Sequence, residues 1–409
     1  MTSTVQRSIL SGRAKNAAPS PTLAITAKAN ALKMKGVDVI SFGAGEPDFD
    51  TPDNVKAAAI VALNAGDTKY TPSSGTVALK DAIIGKLKRD NGLDYVRSEI
   101  IVSCGAKHSI YNLMQAIIEP GDEVIIPAPY WVSYPEQVKL AGGTPVVVES
   151  TYASGYLVSP REIEASITSR TKLVIVNSPS NPTGAVYSRE TLKEISDICT
   201  AKDIYLMSDE IYEKILYTGF TFTSPAAFSS RAQDLTITIN GFSKAHSMTG
   251  WRLGYAAARP EIVAAMSKIQ DQSTSNPTSF AQAAAVEALN GPQDSVETMR
   301  LAFESRRNYI VDALNTIPGL KCLMPGGAFY VFPTIDGLIG KQWTNQNGES
   351  CIIKDSEDFA EYLLDGHQVA IIPGNGFGAS RNIRLSYATS QANIETGIKR
   401  IAQAVRELQ

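Results

Sequence analysis

Short apolar runs alternate with helix-like segments through the middle of the chain, and this alternation constrains the fold more than any other feature. The runs Glu123–Ile126, Lys172–Val176 and Ile204–Ser208 are almost continuously apolar. Strands that are buried on both faces have this pattern, and strands that alternate with helices form βαβ units. The middle of the chain is therefore predicted to be a largely parallel sheet covered by helices, which is an α/β fold.

The same pattern extends on both sides of these three runs. Further strands are predicted at Glu99–Ser103, Thr144–Glu149, Leu235–Asn240 and Arg252–Ala258, and helices at Ser109–Ile118 and Arg189–Ala201. From about Val286 the pattern changes to a long charged helix, Ser295–Asn315, followed by short elements. These are Gly319–Leu323, Phe329–Phe332, Ser356–Leu364, Val369–Ile372, Asn382–Ser386 and a last helix, Ile394–Leu408.

The change of pattern indicates two domains. We predict a large domain over residues 51–300 and a smaller α/β domain over residues 301–409. The N-terminal segment, residues 1–50, contains the helix-like Thr22–Met34 and the strand-like Asp38–Phe42, and we assign it to the smaller domain.

Composition and charge argue against several classes of protein. The 409 residues carry 38 Lys and Arg against 41 Asp and Glu, so no excess of basic charge points to a nucleic acid or an anionic membrane. The four cysteines and three histidines are scattered, without the spacing of a disulfide framework or a metal site. No apolar run has the roughly 18 residues of a membrane span. We predict no metal, nucleic-acid or membrane partner, and a cytoplasmic location.

Lys244 is the first residue that suggests chemistry. It lies among small residues in Gly241–Arg252, directly after a predicted buried strand. Ligands of open α/β sheets bind beyond the carboxyl ends of the strands, so this lysine is placed to meet one. A single loop lysine is nevertheless most often a solvated surface residue, and Lys244 alone does not decide the matter.

Asp209 follows another predicted strand, Ile204–Ser208. A pyridine aldehyde that acts as an electron sink needs a protonated ring nitrogen, and a buried carboxylate keeps it protonated. Tyr212, three residues on, could donate a hydrogen bond to the phenolic oxygen of such a ring. The alternative is that Asp209 caps a helix.

A third strand end offers an anion site. Ser103–Lys107 (SCGAK) lies between a strand and a helix, and the free N–H groups of a helix N-terminus bind phosphate. Ser243 and Arg252 could add a hydroxyl and a guanidinium. A dinucleotide is the rival ligand, but no GxGxxG follows an early strand, which disfavours it.

Taken in order along the chain, these segments resemble the class I/II pyridoxal-phosphate aminotransferases of fold type I. The motifs are NPTG at Asn181–Gly184, SDEIY at Ser208–Tyr212, SKxxxMTGWRLGY at Ser243–Tyr255 and NIRLSYA at Asn382–Ala388. GAGEPDFDTP at 43–52 and KYTPSSG at 69–75 are similar to the bacterial and archaeal aspartate aminotransferases. The resemblance runs from Pro19 to the last helix.

This resemblance implies a fold and a reaction. The fold would be a mainly parallel seven-stranded sheet covered by helices, with a smaller domain formed by both chain ends. The reaction would be ping-pong amino transfer between aspartate and 2-oxoglutarate, giving oxaloacetate and glutamate, with pyridoxal 5'-phosphate as the cofactor. The partners would be small amino and keto acids and a second copy of the chain, in a homodimer with shared active sites.

The resemblance also implies a role for each matching residue. Lys244 would be the catalytic residue, binding the cofactor as an imine and later moving the proton. The other cofactor-binding residues would be Tyr70 (reaching the neighbouring subunit), Gly105, Ala106, Lys107, Trp131, Asn181, Asp209, Tyr212, Ser243 and Arg252. The substrate-binding residues would be Gly45, Lys107, Trp131, Asn181 and Arg384, with Arg384 gripping the α-carboxylate.

The choice of substrate is less determined by the sequence. A dicarboxylate needs a second cation, and the segment Asp271–Gln282 contains no arginine, which makes Lys107 the predicted contact for the distal carboxylate. Thr22 could lie at the mouth of the site, in surroundings that accompany prephenate use in related enzymes. An aspartate/prephenate or aromatic aminotransferase therefore stays open.

Three other classes of protein are alternatives. A fold-type-I carbon–sulfur lyase would share the cofactor residues, and Lys107 favours transfer over it. A transcriptional regulator built on such a domain is disfavoured because only about forty residues precede Gly43, without a basic stripe. A nicotinamide-dependent dehydrogenase is more distant. His246, close to Lys244, is expected to fill space rather than contact the entrance.

Overall fold

A computed structural model describes residues 9–19, 21–345 and 348–409. Its helices are α1 Gly12–Asn16, α2 Pro21–Met34, α3 Asp53–Asn64, α4 Val77–Asn91, α5 Ala106–Ile117, α6 Ser133–Ala141, α7 Pro160–Ala165, α8 Arg189–Ala201, α9 Ser230–Leu235, α10 Pro260–Asp271, α11 Ser279–Asn290, α12 Asp294–Asn315, α13 Ser356–His367 and α14 Gln391–Glu407. Short 3₁₀ turns lie at Arg97–Glu99, Pro225–Phe228, Asp336–Leu338 and Gly374–Phe377.

The strands are short, as expected for an α/β protein. They are β1 Ile40–Ser41, β2 Ile100–Ser103, β3 Glu123–Pro127, β4 Thr144–Val148, β5 Thr171–Asn177, β6 Tyr205–Asp209, β7 Thr236–Gly241, β8 Gly254–Ala257, β9 Tyr330–Val331, β10 Gln342–Thr344, β11 Ser350–Ile352, β12 Val369–Ala370, β13 Ile372–Pro373 and β14 Ile383–Ser386.

Seven strands form the main sheet, in the order β2-β8-β7-β6-β5-β3-β4. All neighbours pair in parallel except β8, which runs antiparallel to both β2 and β7. The central strands are buried on both faces, because helices cover both sides and their side chains form two separate clusters of the core. The predicted fold, a mainly parallel seven-stranded sheet covered by helices, is confirmed.

The smaller sheets combine segments from both ends of the chain. Strand β1 pairs in parallel with β12, with Ile40 opposite Val369. Strand β14 lies between β13 and β9 in an antiparallel sheet. A short strand near the N-terminus therefore packs with C-terminal elements, which supports our proposal that residues 1–50 belong with residues 301–409.

Some predicted elements differ in detail from the structure. Gly319–Leu323 forms no regular strand and makes a single bridge, between Lys321 and Thr334. The predicted run Val369–Ile372 is divided between β12 and β13, which belong to two different sheets. The hairpin of β10 and β11 was not anticipated, since its strands have no apolar alternation.

Candidate active site

The ends of three parallel strands bring the predicted residues together. Asp209 is the last residue of β6, Lys244 follows the end of β7, and α5 begins after β2. Strand β8 joins β7 to β2 with Gly254 opposite both Gly241 and Ser103, so the carboxyl ends of β2 and β7 lie at one edge of the sheet. The expectation that ligands bind beyond this edge fits the arrangement.

A cavity of about 450 Å³ opens at this edge. The predicted site residues that line it are Gly45, Ala106, Lys107, Trp131, Asn181, Asp209, Tyr212, Ser243, Lys244, Arg252 and Arg384. Thr22 also lines it, from the first turn of α2. Residues from three distant parts of the sequence therefore share one space.

Lys244 lines this cavity in an environment that lowers the pKa of its amine. Its Nζ donates a hydrogen bond to the carbonyl oxygen of Gly45 and lies 5.9 Å from the ring centre of Tyr212. Burial, helped by the nearby positive charge of Arg384, lowers the pKa of Lys244 to about 8. A neutral amine is nucleophilic and basic, so this lysine can form a covalent bond or accept a proton near neutral pH.

Asp209 presents a buried carboxylate to the same cavity. The hydroxyl of Tyr134 donates to its Oδ2 at 2.6 Å, and the backbone N–H of Ile211 donates to Oδ1 at 3.2 Å. Burial raises the pKa of Asp209 to about 6. A cationic or N–H-bearing ligand would oppose that shift, because it stabilises the ionised carboxylate.

The start of α5 forms a cradle with Arg252. Gly105 precedes the helix with φ +93°, and a Cβ added there would lie 2.5 Å from Nη2 of Arg252. Ala106 and Lys107 are the first helical residues, so their N–H groups have no acceptor within the helix. Arg252 Nη1 donates to the carbonyl of Thr249 at 2.9 Å, which fixes the guanidinium beside these groups. The arrangement suits an anion such as phosphate.

Arg384 lies across the cavity on β14 and is only 2% exposed. Its Nη1 donates to Oδ1 of Asn181 and its Nη2 to the carbonyl of Gly43, each at 3.0 Å. Among the residues that the structure describes, its buried Nε has no hydrogen-bond partner. The guanidinium packs over the rings of Tyr330 and Phe377, with its Cζ 4.5 and 5.2 Å from their centres. A buried, unpaired guanidinium favours binding of a carboxylate.

The cavity has an excess of unpaired positive charge. It is lined by four cations, and within the described part of the chain no carboxylate lies within 4.0 Å of the charged group of any of them. They are Lys107, Lys244, Arg252 and Arg384. Two carboxylates, Glu46 and Asp209, line the same space. Arg384 is buried and Lys244 is largely enclosed, whereas Lys107 and Arg252 are more exposed. Because an enclosed cation without a carboxylate partner is costly, the site is suited to a ligand with anionic groups.

Three of the residues predicted from the sequence, Lys107, Gly105 and Tyr70, have different positions relative to the cavity. Lys107 Nζ lies 4.8 Å from the ring centre of Trp131, and burial together with Arg252 lowers its pKa. Gly105 is not among the lining residues, but it lies against the guanidinium of Arg252. Tyr70 is 92% exposed and away from the cavity of its own chain, so its role toward a neighbouring subunit stays a prediction.

His246 is buried outside the main cavity. It lines a small separate cavity with Lys86, Asp90 and Glu213. Burial lowers its pKa to about 4, so the ring is neutral at physiological pH. This position agrees with a space-filling residue rather than one at the entrance.

Two tyrosines of the site were missed from the sequence. Tyr134 holds Asp209, and Tyr330 shares a hydrogen bond with Tyr212, their hydroxyl oxygens 2.8 Å apart. Tyr134 could have been suspected, since it lies only three residues after Trp131, and the centres of the two rings are 5.3 Å apart. Tyr330 lies in a run of aromatic residues that predicts only a buried strand.

The described residues include no group of three or more His, Cys, Asp or Glu side chains placed to hold a metal ion. In that same part of the chain, no helix is both long and apolar enough to cross a membrane.

Comparison with known proteins identifies the family. The family model for aminotransferase class I and II matches residues 37–401, which is most of the chain. The chain belongs to the class I and II aminotransferases. It is therefore a transaminase, and the resemblance inferred from its motifs is confirmed.

Individual relatives of this aminotransferase are similar over nearly their whole length. The aspartate aminotransferase of Bacillus sp. strain YM-2 is 53% identical, covering 98% of this chain and 100% of the relative. The aspartate/prephenate aminotransferase of Cereibacter sphaeroides is 50% identical, covering 94% and 95%. The structure of Thermus thermophilus aspartate aminotransferase with maleate has a TM-score of 0.91 at 43% identity, covering 97% and 100%.

Proposed function

We propose that this aminotransferase exchanges an amino group between aspartate and 2-oxoglutarate, using pyridoxal 5'-phosphate. One observation carries the proposal: four unpaired cations and one buried carboxylate line a single cavity of about 450 Å³. The choice of substrate is supported by relatives that match over nearly the whole chain and are named aspartate or aspartate/prephenate aminotransferases.

The residues of the cavity fit this cofactor. The cradle of Gly105, Ala106, Ser243 and Arg252 would hold its phosphate, because N–H groups, a hydroxyl and a guanidinium all donate to phosphate oxygens. The buried carboxylate of Asp209 would pair with the pyridine nitrogen.

The ring of the cofactor would meet residues on both of its faces and at its edge. Trp131 would stack on it, and Asn181 and Tyr212 would contact its phenolic oxygen. When bound, pyridoxal phosphate supplies an electron sink that stabilises negative charge at the substrate α carbon.

Lys244 would carry out the proton movement. Its pKa of about 8 leaves a useful fraction neutral at physiological pH. Nζ would hold the cofactor covalently, and once the substrate amine had replaced it, the freed amine of Lys244 would take the proton from the substrate α carbon. Its hydrogen bond to the carbonyl of Gly45 holds Nζ beside another residue that lines the cavity. Asp209, held by Tyr134, would maintain the positive charge of the ring nitrogen.

Two cations would orient the substrate. Arg384 would bind the α-carboxylate as a two-pronged donor, between Asn181 and Gly45. Lys107, which lines the same cavity, would bind the distal carboxylate, and its lowered pKa reflects a partly buried charge near Arg252. The structure of the Thermus relative with maleate, a dicarboxylate, supports a site of this kind.

The test is an assay of aspartate with 2-oxoglutarate, following oxaloacetate and glutamate, in wild-type and Lys107→Ala protein. Loss of one charge-assisted contact predicts a KM for aspartate raised about 10- to 100-fold, with a much smaller effect on aromatic monocarboxylates. Lys139→Ala is the control, since Lys139 is an exposed lysine paired with Glu136. Equal effects on both substrate classes would remove Lys107 from the substrate site, and release of ammonia would favour a lyase.

Prephenate is the second candidate amino acceptor. Thr22, Leu23, Ile110 and Val132 also line the cavity, and their largely apolar side chains would suit a bulkier, partly apolar keto acid. Including prephenate in the same assay separates a strict aspartate enzyme from a broader one.

We also propose a homodimer in which Tyr70, exposed in the single chain, reaches the cofactor phosphate of the partner. The division into residues 51–300 and 301–409, with residues 1–50 in the smaller domain, is part of the proposal. The cytoplasmic location stays a prediction from the sequence.

A further inference from the structure

Two tyrosine hydroxyls meet at the wall of the cavity. Tyr212 follows β6 in the large sheet, whereas Tyr330 lies on β9 beside β14. Both side chains are at least 97% buried, and both line the cavity. Within the described residues, each hydroxyl has the other as its only hydrogen-bond partner, at 2.8 Å.

The number of hydroxyl hydrogens limits which tyrosine donates in this hydrogen bond and which one can donate to a ligand. Each hydroxyl has one hydrogen, and the bond between them uses only one, so the other hydrogen is left for a ligand in the cavity. If Tyr330 donates to Tyr212, the free hydrogen belongs to Tyr212. If Tyr212 donates, it belongs to Tyr330.

The positive charge of Arg384 favours the first arrangement. Its guanidinium carbon lies 4.5 Å from the centre of the Tyr330 ring. Burial raises the pKa of both tyrosines and the positive charge of Arg384 opposes the rise at both, but the rise is larger at Tyr212, where the carboxylate of Asp209 adds to it. The more acidic hydroxyl is the better donor, so Tyr330 donates and Tyr212 keeps its own hydrogen for the cavity.

We propose that Tyr330 is a positioning residue, which directs and strengthens the hydrogen bond from Tyr212 to the cofactor and supports Arg384 with its ring. The inference rests on the proposed function. It assigns two separable tasks to one side chain: the hydroxyl acts on the cofactor through Tyr212, and the ring acts on the substrate through Arg384. Hydrogen bonds in such a chain strengthen one another, so loss of the first weakens the second.

Two variants separate these tasks. Tyr330→Phe removes the hydroxyl and keeps the ring beneath Arg384, whereas Tyr330→Leu removes both. The matched control is Tyr387→Phe, because Tyr387 is equally buried and its hydroxyl also pairs with a tyrosine hydroxyl, that of Tyr217 at 2.9 Å, away from the cavity.

The first readout is the pH titration of the visible absorbance of the protein loaded with pyridoxal phosphate. A weaker donor at Tyr212 stabilises the deprotonated form of the Lys244 adduct less, so Tyr330→Phe should raise its pKa by about 0.3–1 unit, with no shift in Tyr387→Phe. A shift shared by both variants, no shift in Tyr330→Phe, or a downward shift would each overturn the inference.

The second readout is steady-state kinetics with aspartate. Tyr330→Phe should lower kcat while leaving KM within about twofold, and Tyr330→Leu should raise KM as well, since the cation–π contact is lost. A raised KM in Tyr330→Phe alone would show that the hydroxyl serves the substrate instead. A wild-type protein with no visible band would refute the proposed function together with this inference, whereas a normal wild-type band makes the variants decisive for Tyr330 alone.

Discussion

Replacing Arg384 by lysine keeps the positive charge of the substrate site but removes its planar fork. The guanidinium is 2% exposed, and its Nη groups are fixed by Asn181 and Gly43. A lysine can make one charged contact to a carboxylate where arginine makes two. It also leaves the oxygen atoms of Asn181 and Gly43 without their present donors.

The expected cost follows from those contacts. Losing one hydrogen bond to a charged group costs about 1.5–3 kcal/mol, and the oxygen atoms that lose their donors add about 1 kcal/mol. We therefore expect a loss of about 2–4 kcal/mol of transition-state binding, which lowers kcat/KM roughly 30- to 900-fold. The effect should be similar for aspartate and for 2-oxoglutarate, because both carry the α-carboxylate.

The assay measures kcat/KM for each half-reaction, with thermal unfolding and cofactor absorbance as checks that the variant is folded and loaded. Arg381→Lys is the control, since Arg381 lies on the same segment but is exposed and paired with Asp336. A folded, loaded Arg384→Lys protein that loses less than about fivefold would refute the carboxylate-binding role of Arg384. A loss confined to one of the two substrates would refute it too.

Two further predictions concern the cofactor. Gly105→Ala should weaken binding of pyridoxal phosphate about 10- to 100-fold, measured by equilibrium titration, because the added Cβ would displace Arg252 and the backbone φ is +93°. The control is Gly250→Ala, where the added Cβ would meet open space. Equal affinities of the two variants would contradict the role of the cradle in binding phosphate. The rate at which the apoprotein captures pyridoxal phosphate should increase with pH and reach half of its maximal value near pH 8. The reason is that only the deprotonated amine of Lys244 reacts, and its pKa is about 8. A midpoint near 10.5 in that stopped-flow titration would mean that Lys244 is an ordinary solvated lysine.

Much of the fold was predictable because the strands of the main sheet are buried on both faces. Lys172–Val176 and Ile204–Ser208 are recognisable for that reason, and their polar successors mark the edge where ligands bind. Asp209 and Lys244 could thus be placed near each other from the sequence. The hairpin of β10 and β11 could not be predicted, since both strands are largely exposed and have no apolar pattern.

The parts of the site that escaped prediction depend on contacts between distant segments. Tyr134 reaches Asp209 across 75 residues, and Tyr330 reaches Tyr212 across 118. Local sequence carries no sign of such pairs, because a buried tyrosine in a strand or helix has the same pattern whether its hydroxyl faces a ligand or a carbonyl. The resemblance of the motifs identified residues that would contact the cofactor. The side chains that hold those residues in place could be identified only from the structure.

The most direct test of the account is the site of covalent attachment of pyridoxal phosphate. The protein is loaded with the cofactor, reduced with borohydride, digested and analysed by mass spectrometry, alongside Lys244→Ala and Lys107→Ala. We predict one modified peptide, carrying Lys244, in the wild type and in Lys107→Ala, and none in Lys244→Ala. A stoichiometric adduct in Lys244→Ala, or modification of Lys107 in place of Lys244, would contradict the account.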